Sequence, residues 1–200
     1  MSDESYYEKV KNWNLRVDYK KDIETISLLT NYCISKINST DLYFVGTGLG
    51  ADIDSIVKSK KFKSITGIEP LKNFFDIALP KYEKIGATLL NCSLAQLSQK
   101  NTDLSGIFIF SHSINHITED ELKQFQKILK KSLIVIINPN PEFPKRFWWT
   151  DDTILDYFSG NDIATLLNCE LIFDFFYNLV DIKGEKIFVR NAVLLKTKDF

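Results

Sequence analysis

The sequence predicts an α/β protein with one doubly wound, mostly parallel sheet. Short apolar and β-branched runs alternate along the chain with segments of helical periodicity, which is typical of parallel strands with helices on both faces. Residues 107–110 and 133–137 are apolar at nearly every position, as expected of strands covered on both sides. The last two apolar runs flank a short polar turn, which indicates an antiparallel hairpin at the C-terminal end.

An amphipathic helix is predicted before the first strand, over residues 19–37. Five apolar residues recur there at helical spacing, so that one face of the helix should cover the sheet: Ile23, Ile26, Leu29, Cys33 and Ile37. The five core strands are predicted at 41–45, 64–69, 87–91, 106–110 and 132–138. Helical segments are predicted between them, within 51–61, 71–86 and 118–131.

The pattern changes after the fifth strand. Helices are predicted at 151–158 and 162–168, and the strands of the hairpin at 171–180 and 186–196, so that the sheet has seven strands in all. Because 200 residues suit one ordinary domain, residues 1–200 are predicted to form a single domain. Within it, residues 1–38 are interpreted as an N-terminal helical cap and residues 138–160 as an insertion on the substrate side.

Composition and charge argue against several classes of protein function. The 25 Lys and Arg residues are scattered among 26 Asp and Glu residues, which leaves no basic face for nucleic acid. The first ten residues lack the apolar core of a signal peptide, and no apolar run is long enough for a bilayer, so we expect a cytoplasmic protein with no membrane partner. The three cysteines are widely spaced among apolar neighbours, which favours buried reduced thiols over a metal site.

A glycine-rich loop follows the first predicted strand. Gly46, Gly48 and Gly50 would let backbone amides at a helix start approach a ligand closely. The spacing fits a nicotinamide dinucleotide as well as other ribose-containing cofactors, and Glu69, at the end of the second strand, could accept hydrogen bonds from ribose hydroxyls in either case. A tight turn that binds no ligand, with Glu69 as an ordinary surface acid, is the alternative.

The chain also resembles a known protein family. The segments "LYFVGTGLG", "ITGIEPLKNFF", "ATLLNCSLAQL", "GIFIFSHSINHI" and "SLIVIINPNPEF" have the order and spacing of the class I S-adenosylmethionine-dependent methyltransferases, over residues 20–197. The resemblance implies a Rossmann-like sheet that binds S-adenosylmethionine and releases S-adenosylhomocysteine. Residues 154–182 are similar, more narrowly, to small-molecule N-methyltransferases of the histamine methyltransferase type.

The resemblance also implies a set of cofactor-binding residues. The glycines would line the methionine portion and the ribose, Glu69 would hold the ribose hydroxyls, and Leu71 would lie against the adenine. The full set is Gly46, Thr47, Gly48, Gly50, Glu69, Pro70, Leu71, Ser93, Leu94 and Ser111. The chain departs from the family at two positions, because Phe44 and Ser93 stand where the family usually has acids. Both changes remove charge from the expected pocket.

His112 and His116 are the candidate catalytic residues. They follow the fourth predicted strand, at the edge of the sheet where ligands bind in open α/β folds, and either could take a proton from an amine acceptor. Their HxxxH spacing would also suit zinc on a helix, but no third ligand accompanies them, and no metal is expected. A role for either histidine in ordinary packing is the alternative.

Aromatic residues cluster before the first strand and after the fifth. As in the family, these two segments should cover the acceptor, and an aromatic wall suits an amine-bearing or planar substrate. The candidate substrate-binding residues are Tyr6, Tyr7, Trp13, Trp148 and Trp149. The same side chains could instead pack in the core or form a subunit interface, so we expect a monomer or a homodimer.

The leading interpretation is transfer of a methyl group from S-adenosylmethionine to nitrogen or oxygen of a small molecule. A second interpretation keeps the cofactor but not the reaction: its own amino group would attack its side chain, close a ring and release methylthioadenosine. A catalytically silent S-adenosylmethionine-binding scaffold and a nicotinamide-dependent reductase stay open as further alternatives.

Overall fold

The computed structural model describes residues 20–37, 41–50, 53–58, 62–139, 159–180 and 187–200. Its helices are α1 (Lys20–Ile34), α2 (Ile53–Val57), α3 (Lys72–Lys84), α4 (Leu94–Lys100), α5 (Glu119–Ile128) and α6 (Gly160–Leu166), with a 3₁₀ turn at Ile114–His116. Its strands are β1 (Asp41–Val45), β2 (Ser64–Ile68), β3 (Thr88–Leu90), β4 (Ile107–Ser111), β5 (Leu133–Pro139), β6 (Cys169–Val180) and β7 (Ile187–Thr197).

The seven strands form one sheet in the order β3-β2-β1-β4-β5-β7-β6. The strands β1 to β5 are parallel, whereas β7 pairs antiparallel with both β5 and β6. This arrangement confirms the predicted fold class, including the closing hairpin. The strand order reverses between β1 and β4, and ligands of open α/β sheets bind at such a switch point.

Local sequence explains most elements, and one helix went unpredicted. The apolar runs became strands within about two residues of their expected bounds, as is usual for boundaries. Helix α4 has only seven residues and begins with a capping box, in which Ser93 and Gln96 satisfy each other's backbone N–H groups. The predicted helix at 151–158 and the turn at 181–186 lie outside the described residues.

The sheet has a core on each face. The first face packs against α4, α5 and α6, and the second against α1, α2 and α3. Strands β4 and β5 alternate between them, so that Phe110 and Ile136 belong to the first face, and Ile109 and Val135 to the second. Both faces of these central strands are therefore buried, as their continuous apolar sequence predicts.

Two further expectations concern membranes and thiols. Among the helices that the structure describes, none is long and apolar enough to cross a membrane. Cys33 and Cys169 are buried and Cys92 is half-buried, and all three are free thiols.

Candidate functional site

The glycine loop lies at the carboxyl edge of the sheet, between β1 and α2. The backbone N–H groups of Gly46 and Thr47 donate to the carbonyl oxygen of Ile68 at the end of β2, at 2.8 and 3.3 Å. Gly46, Gly48 and Gly50 have φ values of 70°, 53° and 63°, which side chains rarely adopt. The backbone of the turn therefore requires glycine, whether or not a ligand is bound.

The three glycines face different surroundings. A Cβ atom on Gly46 would lie 2.5 Å from Cβ of Ser113, and one on Gly50 would lie 3.0 Å from Cβ of Ala78. At Gly48 a Cβ atom would meet none of the described atoms within 4 Å. The missing side chains of Gly46 and Gly50 thus permit close packing inside the protein, whereas the described residues leave space at Gly48 in which a ligand could approach the backbone.

Glu69 closes this space from the end of β2. Its carboxylate accepts hydrogen bonds from the N–H groups of Gly48 at 2.7 Å and Leu71 at 3.0 Å, and the residue is 3% exposed. Burial raises the pKa of the Glu69 carboxyl to about 7, although both hydrogen bonds lower it. Each carboxylate oxygen can accept a second hydrogen bond, so these residues fit a ribose diol beside Gly48.

The end of β3 supports Glu69 from the other side. The side-chain amide of Asn91 donates to the carbonyl oxygens of Glu69 at 2.8 Å and Pro70 at 3.2 Å. Ser93 uses its hydroxyl to cap α4, and the side chain of Leu94 is buried in the core of the first face. Asn91 was not predicted from the sequence, because its function depends on the pairing of β2 with β3.

Polar atoms near the loop lack partners. Thr47 Oγ1 and Asn115 Oδ1 are buried and have no hydrogen-bond partner among the described residues. Buried polar atoms are almost always satisfied, so an unpaired hydroxyl beside Gly48 fits a site for a polar ligand group. Phe44, at the position where the resembled family usually has an acid, is 7% exposed and packs in the core of the second face.

His112 directly follows β4 and turns away from its expected face. Continued alternation would place residue 112 on the same face as Phe110, but His112 has a φ of 57°. Its backbone N–H donates to the carbonyl oxygen of Ile137, and Nε2 lies 2.9 Å from Oδ2 of Asp22. Because Asp22 lies on α1, the imidazole is fixed on the second face.

Asp22 is the centre of a buried polar cluster that joins four parts of the chain. It is 1% exposed, accepts a hydrogen bond from the Tyr177 hydroxyl at 2.5 Å, and lies 3.4 Å from Nε of Arg190. Burial disfavours the Asp22 carboxylate, but the contacts with His112, Arg190 and Tyr177 together hold its pKa below the usual range. Since Asp22 precedes Ile26 by one helical turn, a charge on the buried stripe of α1 was a signal that sequence reasoning missed.

Comparison with known proteins adds a fold assignment. No protein-family model matches the sequence, and no curated protein matches it. Among solved structures, an S-adenosylmethionine-dependent methyltransferase from Methanosarcina mazei is similar at 13% identity and a TM-score of 0.63, over 85% of this chain and 96% of that protein. A proposed RNA methyltransferase from Pyrococcus horikoshii is similar at 12% identity and a TM-score of 0.58, over 88% of this chain and 83% of that protein. The [4+2]-cyclase SpnF is similar at 9% identity and a TM-score of 0.62, over 86% of this chain and 80% of that protein.

The chain has the class I methyltransferase fold. At these identities the likeness concerns the fold alone. In the methyltransferase fold of this chain, the glycine loop, Glu69 and the end of β4 meet at one edge of the sheet. The narrower resemblance to histamine methyltransferases and the individual cofactor-binding residues stay predictions.

Of the remaining predicted catalytic and substrate-binding residues, the structure describes His116. His116 is exposed at the end of the 3₁₀ turn, and His112 is outside any helix, so the HxxxH spacing does not place the two imidazoles on one face of a helix. In the described ranges, no group of three or more His, Cys, Asp or Glu residues could hold a metal ion. The predicted acceptor-binding residues lie outside the described residues: Tyr6, Tyr7, Trp13, Trp148 and Trp149.

Proposed function

We propose that this chain binds S-adenosylmethionine at the β1–β4 edge and transfers its methyl group to nitrogen or oxygen of a small molecule. The observation that carries the proposal is the pairing of Gly48 with Glu69: a Cβ atom on Gly48 would meet no described atom within 4 Å, and the Gly48 N–H group donates to the buried Glu69 carboxylate. Within a methyltransferase fold, we expect the space beside Gly48 and Glu69 to hold the ribose of the cofactor and the methionine portion attached to it. We infer a small acceptor because the Lys and Arg residues are scattered among Asp and Glu along the sequence, a pattern that does not favour a broad basic face for nucleic acid.

The residues of this chain would mainly bind and orient. Glu69 would accept hydrogen bonds from the ribose hydroxyls, and Thr47 would pair its hydroxyl with the polar end of the methionine portion. The bound cofactor supplies a methyl group that its sulfonium already activates. Alignment of the acceptor can therefore provide much of the rate enhancement.

His112 is the proposed base. It lies at the carboxyl end of β4, and the carboxylate of Asp22 fixes its imidazole at Nε2. An amine or hydroxyl acceptor loses a proton as it gains the methyl group, and a positioned histidine can take that proton at neutral pH. Asp22 would act through His112, as a positioning residue that also stabilises the imidazolium.

The test is calorimetric titration with S-adenosylhomocysteine, followed by mass spectrometry of the protein incubated with S-adenosylmethionine and a panel of amines and phenols. Gly86 offers a matched control for Gly48, since its φ is 69° and a Cβ atom there would also meet no described atom within 4 Å. Gly48→Val should abolish binding by filling the ligand space, while Gly86→Val should keep it. Equal affinity in both variants would exclude the glycine loop as the cofactor site.

Phe44 favours a second candidate reaction, the cyclisation of the cofactor. The acid that the family places there is absent, so the amino group of the methionine portion would be held differently, and it could attack its own side chain. One structural neighbour is called a [4+2]-cyclase, so the fold is not confined to methyl transfer. Methylthioadenosine as the product would replace methyl transfer with cyclisation, and binding without any product would indicate a silent scaffold.

A further inference from the structure

Buried side-chain polar atoms without hydrogen-bond partners are concentrated at one edge of the sheet. In the part of the chain that the structure describes, they belong to four residues: Thr47, Asn115, Asn138 and Asn191. Thr47 follows β1 and Asn115 follows β4, whereas Asn138 is the second-to-last residue of β5 and Asn191 lies opposite it on β7. All four positions therefore lie near the carboxyl edge of the parallel strands. Thr47 lies in the glycine loop, whereas the proposed cofactor site uses neither Asn138 nor Asn191.

Asn138 and Asn191 form a cross-strand pair. They are directly opposite each other in the antiparallel register of β5 and β7, and they are 0% and 1% exposed. Asn138 continues the alternation of Ile134 and Ile136, so both amides point to the first face of the sheet. The Asp22 cluster lies on the second face, and it therefore does not supply their partners.

The pair offers an unusual amount of unused hydrogen-bonding capacity. Both the oxygen and the nitrogen of each amide lack a partner among the described residues. Each amide has an acceptor oxygen and two donor hydrogens. Since buried amides are normally satisfied, this arrangement fits a ligand group that both donates and accepts hydrogen bonds, such as an amide or a lactam edge.

An aromatic ring adjoins the amides. Phe176 on β6 is opposite Asn191 in the register of β6 and β7, so it lies on the same face, and 57% of its surface is exposed. The row Asn138, Asn191 and Phe176 thus crosses three neighbouring strands. It combines polar edges with a flat apolar surface, which suits a planar molecule.

Charge favours a neutral ligand. The two amides carry no charge that could compensate the desolvation of an ion. Asp174, two residues before Phe176 and on the same face of β6, adds a negative charge that would repel an anion. A neutral planar compound is therefore the best match for this face.

We propose that Asn138 and Asn191 bind the amide or lactam edge of a neutral, planar acceptor. The identification of this ligand as the methyl acceptor rests on the proposed function. The binding site itself does not depend on catalysis. It names the chemical class of the molecule that receives the methyl group.

Three probes with one ring test the assignment: benzamide, N,N-dimethylbenzamide, which cannot donate, and benzoate, which is charged. Each is titrated calorimetrically into the full chain, with and without S-adenosylhomocysteine. Benzamide should bind at least about tenfold more tightly than the other two, because the amides require both a donor and an acceptor. Asn138→Leu and Asn191→Leu should lose this preference, while Asn31→Leu, an exposed change on α1, should keep it.

Equal affinity for the three probes, or an unchanged preference in both Leu variants, would overturn the proposal. Thermal unfolding gives a second measure, since a leucine of similar shape should leave the midpoint unchanged or raise it if the amides are unpaired in the free protein. If the variants do not fold, the ¹⁵N-labelled side-chain amides of the unmodified chain decide: benzamide must shift them, and no shift rejects the site. If the protein binds S-adenosylhomocysteine but shows no preference for benzamide, this inference fails and the proposed function stands. If the protein prefers benzamide but does not bind S-adenosylhomocysteine, the proposed function fails and the binding site stands.

Discussion

Oδ2 of Asp22 and Nε2 of His112 lie 2.9 Å apart, although ninety residues separate them in the chain. The contact joins the buried stripe of α1 to the residue that follows β4. It explains how His112 holds a positive φ and an imidazole on the second face of the sheet. Helix α1 therefore covers the core and also fixes a candidate catalytic side chain.

Replacement of the Asp22 carboxylate is expected to lower the stability of the protein. Asp22→Asn leaves the buried guanidinium of Arg190 without its counterion, and loss of one partner of a buried ion pair lowers the free energy of unfolding by about 3–5 kcal/mol. Urea unfolding measures this change. Asp76→Asn, which removes an exposed carboxylate paired with Lys72, is the control and should change stability by less than about 1 kcal/mol.

The stability difference between Asp22→Asn and the unmodified chain should depend on pH. Because the pKa of Asp22 is lowered on folding, its contribution is present above the ordinary aspartate pKa of 3.8 and disappears as pH falls below that value. The two unfolding curves should therefore converge in strong acid. A difference that stays constant into acid would show that the ionised carboxylate is not the stabilising group.

His112 and His116 should respond differently to mutation. His112→Ala is expected to lower turnover by about 10²–10⁴-fold, the range for loss of a general base, with little change in S-adenosylhomocysteine affinity. His116→Ala, at an exposed position, should leave turnover near normal. Steady-state kinetics and calorimetry of both variants check this. Equal losses of turnover and affinity at His112 would identify it as a binding residue.

Ligand binding should report the ionisation of Glu69. Ribose hydroxyls donate to the ionised carboxylate, whose pKa is about 7 in the free protein. Adenosine, which contains the ribose but no α-amino group, should bind about tenfold more tightly at pH 8 than at pH 6. Glu69→Gln should bind adenosine with an affinity that does not change over this range, which separates Glu69 from other titrating groups.

The same group makes a prediction for the free protein. The pKa of about 7 lies above the ordinary value of 4.5, so the folded state retains a proton that the unfolded chain has released. The stability from this group is fully present below pH 4.5 and is lost as pH rises through 7. Glu69→Gln should therefore remove part of the decline in stability between these values, as measured by urea unfolding.

Alanine substitutions should distinguish the glycines of the loop. Both Gly46→Ala and Gly48→Ala place a side chain at positive φ, but only the first brings a Cβ atom 2.5 Å from Ser113. Gly46→Ala should therefore be more destabilising, by about 1–3 kcal/mol, as is typical of overpacking. In the double variant with Ser113→Gly, this extra loss should largely disappear. No recovery would mean that Ser113 is not the obstacle.

The sequence by itself determined the seven strands, most of the helices, the glycine loop and the position of Glu69 at a strand end. These features follow from local periodicity and from residue types with strong backbone preferences. Helix α4 went unpredicted because it is short and depends on the cap formed by Ser93 and Gln96. The position of β5 also follows from the sequence. The sequence did not indicate that Asn138 has a different environment from the apolar residues before it.

Only the tertiary structure decided which residues meet. The contacts of Asp22 with His112, Tyr177 and Arg190 cross 90 to 168 residues of chain, and they depend on how α1 packs against the sheet. The opposition of Asn138 and Asn191 depends on strand register, since a shift of one residue would send the two amides to opposite faces. The close approaches of Gly46 to Ser113 and of Gly50 to Ala78 likewise depend on how distant elements pack. Local patterns specify elements, whereas a site is formed by packing and register between elements that are distant in the sequence.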